Sequence, residues 1–331
     1  MKNQATLTEH LAGSHQVEME CYQAIVAEVE NYLHTLADPL QTMARPFFDR
    51  LVQGEFSQVA ALLPYWLSDL LPVSPEIVHR LGVAQLYFWW YHYIQDELID
   101  HNADPATLLS GHLALLQAVD IYESLGLTRA PCWAEFHRLA RTCAETTAVE
   151  LQTRFMSLAE LTPERLAPFT VDFLINRVAT FYFTTTAHLN LAGVSPSDPL
   201  HHTVLTALHC FAAARQLADD TSDWVADLQA GHLNFVSAHL MRRLYQRGLA
   251  GNGTDLDTER LAGYQLTDED FWTGIEQTVQ DLSQQALDHL APYGDCRLQT
   301  LIEHQMAQHT EQWAAGRVYR ANIRQIFGKT N

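Results

Sequence analysis

Apolar side chains recur along this chain at intervals of three and four residues, the spacing of one helix face, while period-two alternation is almost missing. The pattern predicts helices near 16–36, 38–52, 55–70, 75–101, 105–125, 132–157, 163–192, 199–229, 233–248, 267–290 and 296–327. Ser74-Pro75-Glu76, Asp104-Pro105 and Thr162-Pro163-Glu164 each supply a capping side chain, a proline suited to the first turn and, in two cases, an early acid. The stretch from Gly248 to Thr258 reads as a flexible loop. No alternating run is bounded by hairpin turn residues, and neither a repeat nor a linker divides the chain. The expectation is an all-α fold, a single large helical bundle forming one domain over residues 1–331.

Composition sharpens that picture. The 331 residues are 47% hydrophobic, enough for a sizeable core, and Gly (15) and Pro (12) are sparse, as long helices require. The formal charge of −19 repels nucleic acid and anionic membrane surfaces, so neither is an expected partner. It would also repel a phosphorylated substrate unless metal cations intervene. Cys21, Cys132, Cys143, Cys210 and Cys296 are odd in number and lack a C-x-x-C pair, which argues against a disulfide framework or zinc site. The N-terminus has no apolar signal region, and no run of 18 apolar residues exists, so stable membrane insertion is not expected and a cytoplasmic location is.

Two acidic stretches break the helical pattern. Tyr87-Phe88-Trp89-Trp90-Tyr91-His92-Tyr93-Ile94-Gln95-Asp96-Glu97-Leu98-Ile99-Asp100 closes an apolar helix. Asp96 and Asp100 stand one turn apart, where they repel each other, and a helix C-terminus disfavours anions further. A hard divalent cation with oxygen ligands would offset both effects. A solvated acidic helix end is the alternative, although it needs no aromatic approach. The second stretch runs from Arg215 to Asp227. Asp219, Asp223 and Asp227 recur every four residues and stack on one stripe, with Asp220 just off it and apolar residues opposite. Three oxygens in line suit one octahedral Mg²⁺ completed by phosphate and water. Asp96 and Asp223 are 127 residues apart, each near the end of a long helix, so a bundle can bring the clusters face to face across a cavity.

These residues resemble a known family. Asp96-Glu97-Leu98-Ile99-Asp100 is similar to the first aspartate-rich motif of class I isoprenoid synthases, especially the D-E-L-V-D form of phytoene synthases. Gln216-Leu217-Ala218-Asp219-Asp220-Thr221-Ser222-Asp223 is similar to the Q-x-x-D-D-x-x-D of chain-elongating prenyl synthases. Asp219, Asp223 and Asp227 also fall on the N-D-x-x-S-x-x-x-E register of terpene cyclases. Asp223-x-x-x-Asp227-x-x-x-Gly231 matches squalene/phytoene synthase spacing, with His232 where that family usually has arginine. The chain departs from the elongating enzymes in lacking a G-G-K-R-like N-terminal site and paired arginines after the first motif. It departs from the squalene/phytoene branch in lacking an early arginine-bearing motif, so one diphosphate substrate is the simpler reading.

The resemblance implies the class I terpenoid synthase bundle with a central active-site cavity. It implies three Mg²⁺ ions held by Asp96, Glu97, Asp100, Asp219, Asp220, Asp223 and Asp227. Arg177, 42 residues before Asp219, resembles a diphosphate-sensing arginine; an exposed bundle arginine is the alternative. Arg215 lies one turn before Asp219 and either contacts substrate or pairs with that acid. Arg317-Val318-Tyr319 resembles the arginine-tyrosine pair of terpene cyclases, and with Arg320, Arg324 and Lys329 it could close over the diphosphate or compensate a helix dipole. Phe88, Trp89, His92 and Tyr93, at helical offsets from Asp96, and Phe211, eight before Asp219, would line the pocket, as would Phe181; plain core packing competes for each. His92 could accept a proton or place water. The expected reaction is ionisation of an allylic prenyl diphosphate, in the diterpenyl range, to a terpene hydrocarbon or alcohol. The range rests on resemblance to bacterial class I diterpene synthases of the kolavelool-synthase-like kind. The alternatives are head-to-head prenyl transfer of the squalene/phytoene type and a non-catalytic or metal-storage bundle, although paired Glu-x-x-His motifs are missing. The expected partner is the prenyl diphosphate, with a homodimer left open.

Overall fold

The structure is a computed structural model. It describes residues 2–100, 104–250, 261, 263 and 268–327, excepting the side chains of 2–15, 55, 100, 326 and 327. Among the described residues there are thirteen α-helices, five short 3₁₀ turns and no β-strand, so the all-α expectation holds. The chain divides into two compact units, residues 1–136 with 183–195, and residues 137–182 with 196–331. Among the described residues no helix is long and apolar enough to cross a membrane.

The first unit contains α1 (Lys2–Thr35), α2 (Asp38–Gln53), α3 (Glu55–Leu67), α4 (Pro75–Asp100) and α5 (Leu108–Ser124), together with the opening turn of α6 (Cys132–Gln152). Its core is aromatic along α4. Trp90 is fully buried with its ring 5.3 Å from Phe48, and Tyr87 stacks at 6.5 Å on Trp90. At Gly82 a Cβ would sit 2.6 Å from both the Ala61 carbonyl oxygen and Ile25 Cδ1, so α4 approaches α3 and α1 at a distance only glycine permits. The predicted caps form: the Ser74 hydroxyl accepts from the Ile77 amide at 3.4 Å, and Asp104 accepts from Ala106 at 2.9 Å.

The helix predicted over 163–192 is interrupted. Thr162 caps only the four-residue α7 (Pro163–Leu166), Thr170 caps α8 (Val171–Arg177), and a 3₁₀ turn over Ala179–Tyr182 leads into α9 (Phe183–Leu191). Pro168 lacks the amide a continuous helix would need, and Thr170 restarts the helix by accepting from the Phe173 amide at 3.3 Å. The helix α6 also stops at Gln152, short of the predicted 157, because the Phe155 amide donates to the Gly231 carbonyl at 3.0 Å instead of continuing the helix.

The second unit packs around α10 (Pro199–Gln229), α11 (Phe235–Gln246), α12 (Glu269–Leu290) and α13 (Arg297–Phe327). Phe169, Leu217, Trp224, Val236, Phe271 and Trp313 belong to its core. Of the predicted 248–258 loop, residues 251–258 lie outside the described residues, as do 101–103 and Lys329.

Candidate functional site

In the first unit the acidic end of α4 is held from one side by α2. Arg50 Nε donates to the Tyr93 hydroxyl at 3.3 Å, and its guanidinium pairs with Glu97 at 3.5 Å while lying 4.6 Å above the Phe47 ring. Asp96 is exposed; Asp100 ends the helix, and its side chain is outside the described residues.

The aromatic stripe splits into two sides. Trp89 packs 4.3 Å from Phe56 and donates its indole N–H to Ser57 at 3.1 Å, so Trp89 and Tyr93 are occupied by α3 and α2. Phe88 and His92 turn the other way, toward Phe136 at 5.6 Å from the Phe88 ring, which in turn lies 4.6 Å from Phe183. Burial pushes the His92 pKa down to about 4, only partly opposed by a hydrogen bond with Gln95, so the ring is neutral at physiological pH.

In the second unit α10 presents Asp219 and Asp223 to solvent, with Asp227 half-buried at its last turn. Asp220 points inward, 4% exposed. Its Oδ1 accepts from the Gln216 amide at 3.0 Å, and its Oδ2 accepts from the Phe235 backbone N–H at 2.9 Å. Desolvation raises the Asp220 pKa to about 7, against the pull of nearby Arg177 and of these hydrogen bonds. Arg177, at the end of α8, pairs with Glu150 at 3.3 Å. Asn234 caps α11, and its side-chain amide donates to Asp227 at 2.8 Å and to the Asp220 carbonyl at 3.2 Å. The turn between α10 and α11 depends on Gly231, at φ 77°, where a Cβ would lie 2.3 Å from the Phe155 carbonyl oxygen. Thus one unit gathers Arg177, Glu150, Asp219, Asp220, Asp223, Asp227 and Asn234 around one end of α10.

Other predicted residues are placed differently. Phe211 is buried within α10, Phe181 is half-buried in the 3₁₀ turn, and Arg215 is half-buried on α10. The C-terminal basic side chains are engaged by α12. Arg317 pairs with buried Glu276, while Arg320, 7% exposed, reaches Glu276 at 3.2 Å and Glu269 at 3.4 Å and lies 5.1 Å from the Trp272 ring. Arg324 reaches Glu269 at 2.6 Å. In this arrangement they bind α13 to α12 instead of presenting open guanidinium groups, whereas Tyr319 is 60% exposed.

Glu150, Asn234 and Arg50 were not anticipated as site residues. Asn234-Phe235-Val236-Ser237 carries the reciprocal capping pattern that could have flagged Asn234. Glu150 and Arg50 carry no local signal, because their partners are 27 and 47 residues distant in sequence. Among the described residues no group of three or more His, Cys, Asp or Glu side chains is arranged to hold a metal ion.

No protein-family model matches the chain, and no curated protein does. A solved structure described as a candidate geranylgeranyl pyrophosphate synthase from Corynebacterium glutamicum aligns over 89% of this chain and 96% of its own, with a TM-score of 0.63 and 17% identity. At that identity the likeness concerns fold alone: the chain shares the all-α fold of that structure.

Proposed function

We propose that this protein is a Mg²⁺-dependent class I terpene synthase that ionises an allylic prenyl diphosphate, in the diterpenyl range, and releases diphosphate with a terpene hydrocarbon or alcohol. Residues 1–331 act as one catalytic domain in this reading. The observation that carries it is the α10 stripe, where Asp219 and Asp223 are exposed one turn apart and Asp227 follows, on a prenyl-synthase-like fold. Carboxylates at that spacing repel one another, and hard oxygen donors fit Mg²⁺. Asp219, Asp223 and Asp227 would hold the metal in the second unit, and Asp96 with Asp100 in the first. Bound there, Mg²⁺ supplies Lewis-acid stabilisation of the departing diphosphate.

The remaining roles fall to this chain's own groups. Arg177 adds positive charge beside the acidic stripe, positioned by Glu150. Asp220 and Asn234 orient the end of α10 through the hydrogen bonds described above. Arg50 holds Glu97 and Tyr93 in place. Neutral His92 can accept a proton or orient water, and Phe88 offers a ring face to developing positive charge.

The test is incubation of purified protein with Mg²⁺ and a panel of linear and cyclic prenyl diphosphates, read by pyrophosphate release and product mass. The expected product keeps the carbon number of one substrate. No pyrophosphate release from any member of the panel would overturn the proposal. The description of the Corynebacterium structure favours a second reading, prenyl chain elongation, which would require isopentenyl diphosphate and lengthen the product. A product with twice the substrate's carbons would instead indicate head-to-head coupling.

A further inference from the structure

The helix α9 of the first unit carries polar side chains inside the core, and the acid clusters do not explain them. Thr184, Thr185 and His188 are all buried there, and groups enclosed so completely need hydrogen-bond partners. Thr184 has two, Gln85 and Tyr122. His188 has one. Its Nε2 lies 2.8 Å from the carbonyl oxygen of Leu71, in the connection that leaves α3. That carbonyl has few other donors within its own segment, because Pro72 and Pro75 have no amide to offer it.

This bond fixes the tautomer. A carbonyl oxygen only accepts, so the proton is on Nε2. Burial pushes the His188 pKa down to about 4, only partly opposed by the Leu71 bond, so the ring is neutral and holds that one proton. Nδ1 is then a lone pair awaiting a donor. Among the described residues no group bonds to Nδ1, and none bonds to the hydroxyl of Thr185, three residues earlier; both side chains are 0% exposed. Residues at that spacing are neighbours on one helix face, with Cβ atoms about 5–6 Å apart. Helical side chains also lean back over the preceding turn. With Nε2 turned outward to Leu71, Nδ1 is the nitrogen nearer α9, on the side of Thr185. The two atoms do not bond each other, so they stand further apart than one hydrogen bond. One small molecule spans such a gap if it donates to Nδ1 and meets a hydroxyl. Neither group is charged, and full enclosure leaves space for nothing larger than water.

We propose that a single water molecule is held between Thr185 Oγ1 and His188 Nδ1, donating to the imidazole. The water fixes a ring whose other nitrogen tethers α9 to the chain leaving α3. The site belongs to the first unit alone and is independent of the reaction the protein catalyses.

The experiment combines the wild-type protein with two variants. A high-resolution crystal structure of wild type should show an oxygen within about 3.2 Å of both Thr185 Oγ1 and His188 Nδ1. Nitrogen-15 NMR at neutral pH should place the His188 proton on Nε2 and report a hydrogen-bonded Nδ1. Thr185→Val keeps the shape of the side chain and removes the hydroxyl. It takes a partner from the water, so thermal melting should fall by about 2–4 °C, whereas Thr185→Ser retains the hydroxyl and should retain the water. In a dry site the valine would instead relieve an unmatched hydroxyl, and the variant would melt at or above wild type. That result overturns the proposal, as does a wild-type structure with no oxygen beside Nδ1 or with the Thr185 hydroxyl turned onto a backbone carbonyl. The wild-type structure and spectrum decide the matter even where a variant does not fold.

Discussion

Replacing Gly231 with alanine tests the joint between the α10 stripe and the chain that leaves α6. The substitution has two separable effects. An L-residue at φ 77° costs about 1–2 kcal/mol. The new methyl would also meet the Phe155 carbonyl oxygen at 2.3 Å, a backbone atom that cannot rotate away. Relief requires the 155 and 231 segments to part, with about 1–3 kcal/mol of overpacking strain and about 1 kcal/mol from the hydrogen bond between the Phe155 amide and the Gly231 carbonyl. Gly248 is an internal control in the same unit, because its φ is 70° but nothing lies within 4 Å of its added Cβ. At about 2 °C per kcal/mol, thermal melting should fall by about 2–4 °C for Gly248→Ala and about 6–12 °C for Gly231→Ala. Calorimetry of both variants without metal measures the difference. Melting temperatures within about 1 °C of each other would refute the claimed close approach.

Asp96→Ala and Asp223→Ala should each abolish Mg²⁺-dependent pyrophosphate release while leaving the far-ultraviolet circular dichroism unchanged; undiminished turnover in either variant, or in EDTA, counts against metal ligation. Asp220 binds its proton more tightly folded than unfolded, so its contribution to stability is greatest at low pH and declines as pH rises from about 4 to about 7. Asp220→Asn should therefore lose least at the upper end of that range, and a variant-minus-wild-type melting difference independent of pH in EDTA would contradict the shift. Arg320→Met leaves buried Glu276 short of a partner and should destabilise by roughly 3–5 kcal/mol, against roughly 1 kcal/mol or less for the more exposed Arg317→Met; equal losses in chemical denaturation would dissolve the distinction. Trp89→Ala removes the Phe56 contact and the Ser57 hydrogen bond, so it should cost roughly 3 kcal/mol, and a stable variant with altered products would restore Trp89 to the ligand's surroundings.

The parts of the fold that depend on local chemistry were legible. Pro75 after Ser74 and Pro199 after Asp198 start long helices where proline's fixed φ and missing amide suit the first turn. The interruption between 166 and 183 was harder to see, since apolar spacing continues through it and Thr170 caps a helix only once the chain has already turned. The acid stretches showed their residue types and spacing, and α10 places Asp219 and Asp223 outward as that spacing implies. The spacing set Asp220 just off the stripe but could not show that its side chain turns inward. Its inward direction follows from Phe235 and Gln216, and an amide of residue 235 leaves no mark on the sequence around 220. Arg320 was ambiguous for the same reason: the acids that hold it, Glu269 and Glu276, are on another helix.

The first unit is discontinuous, and that gives its biosynthesis a timetable. Phe183 and Thr184 are part of its interior, yet they follow the stretch 137–182, which belongs to the other unit. A nascent chain that has reached Phe136 has made five helices but not α9. Tyr122 then lacks its Thr184 partner, and the rings of Phe136 and Trp133 lack Phe183. Translation must reach residue 195 before that unit can close, an interval of about 3–12 s at ordinary elongation rates. Through that interval the aromatic surface of α4 through α6 is the part of the nascent protein most in need of a chaperone. A ribosome-stalled chain ending at 136 should recruit holdases that a chain stalled beyond 195, with its exit-tunnel length added, no longer binds.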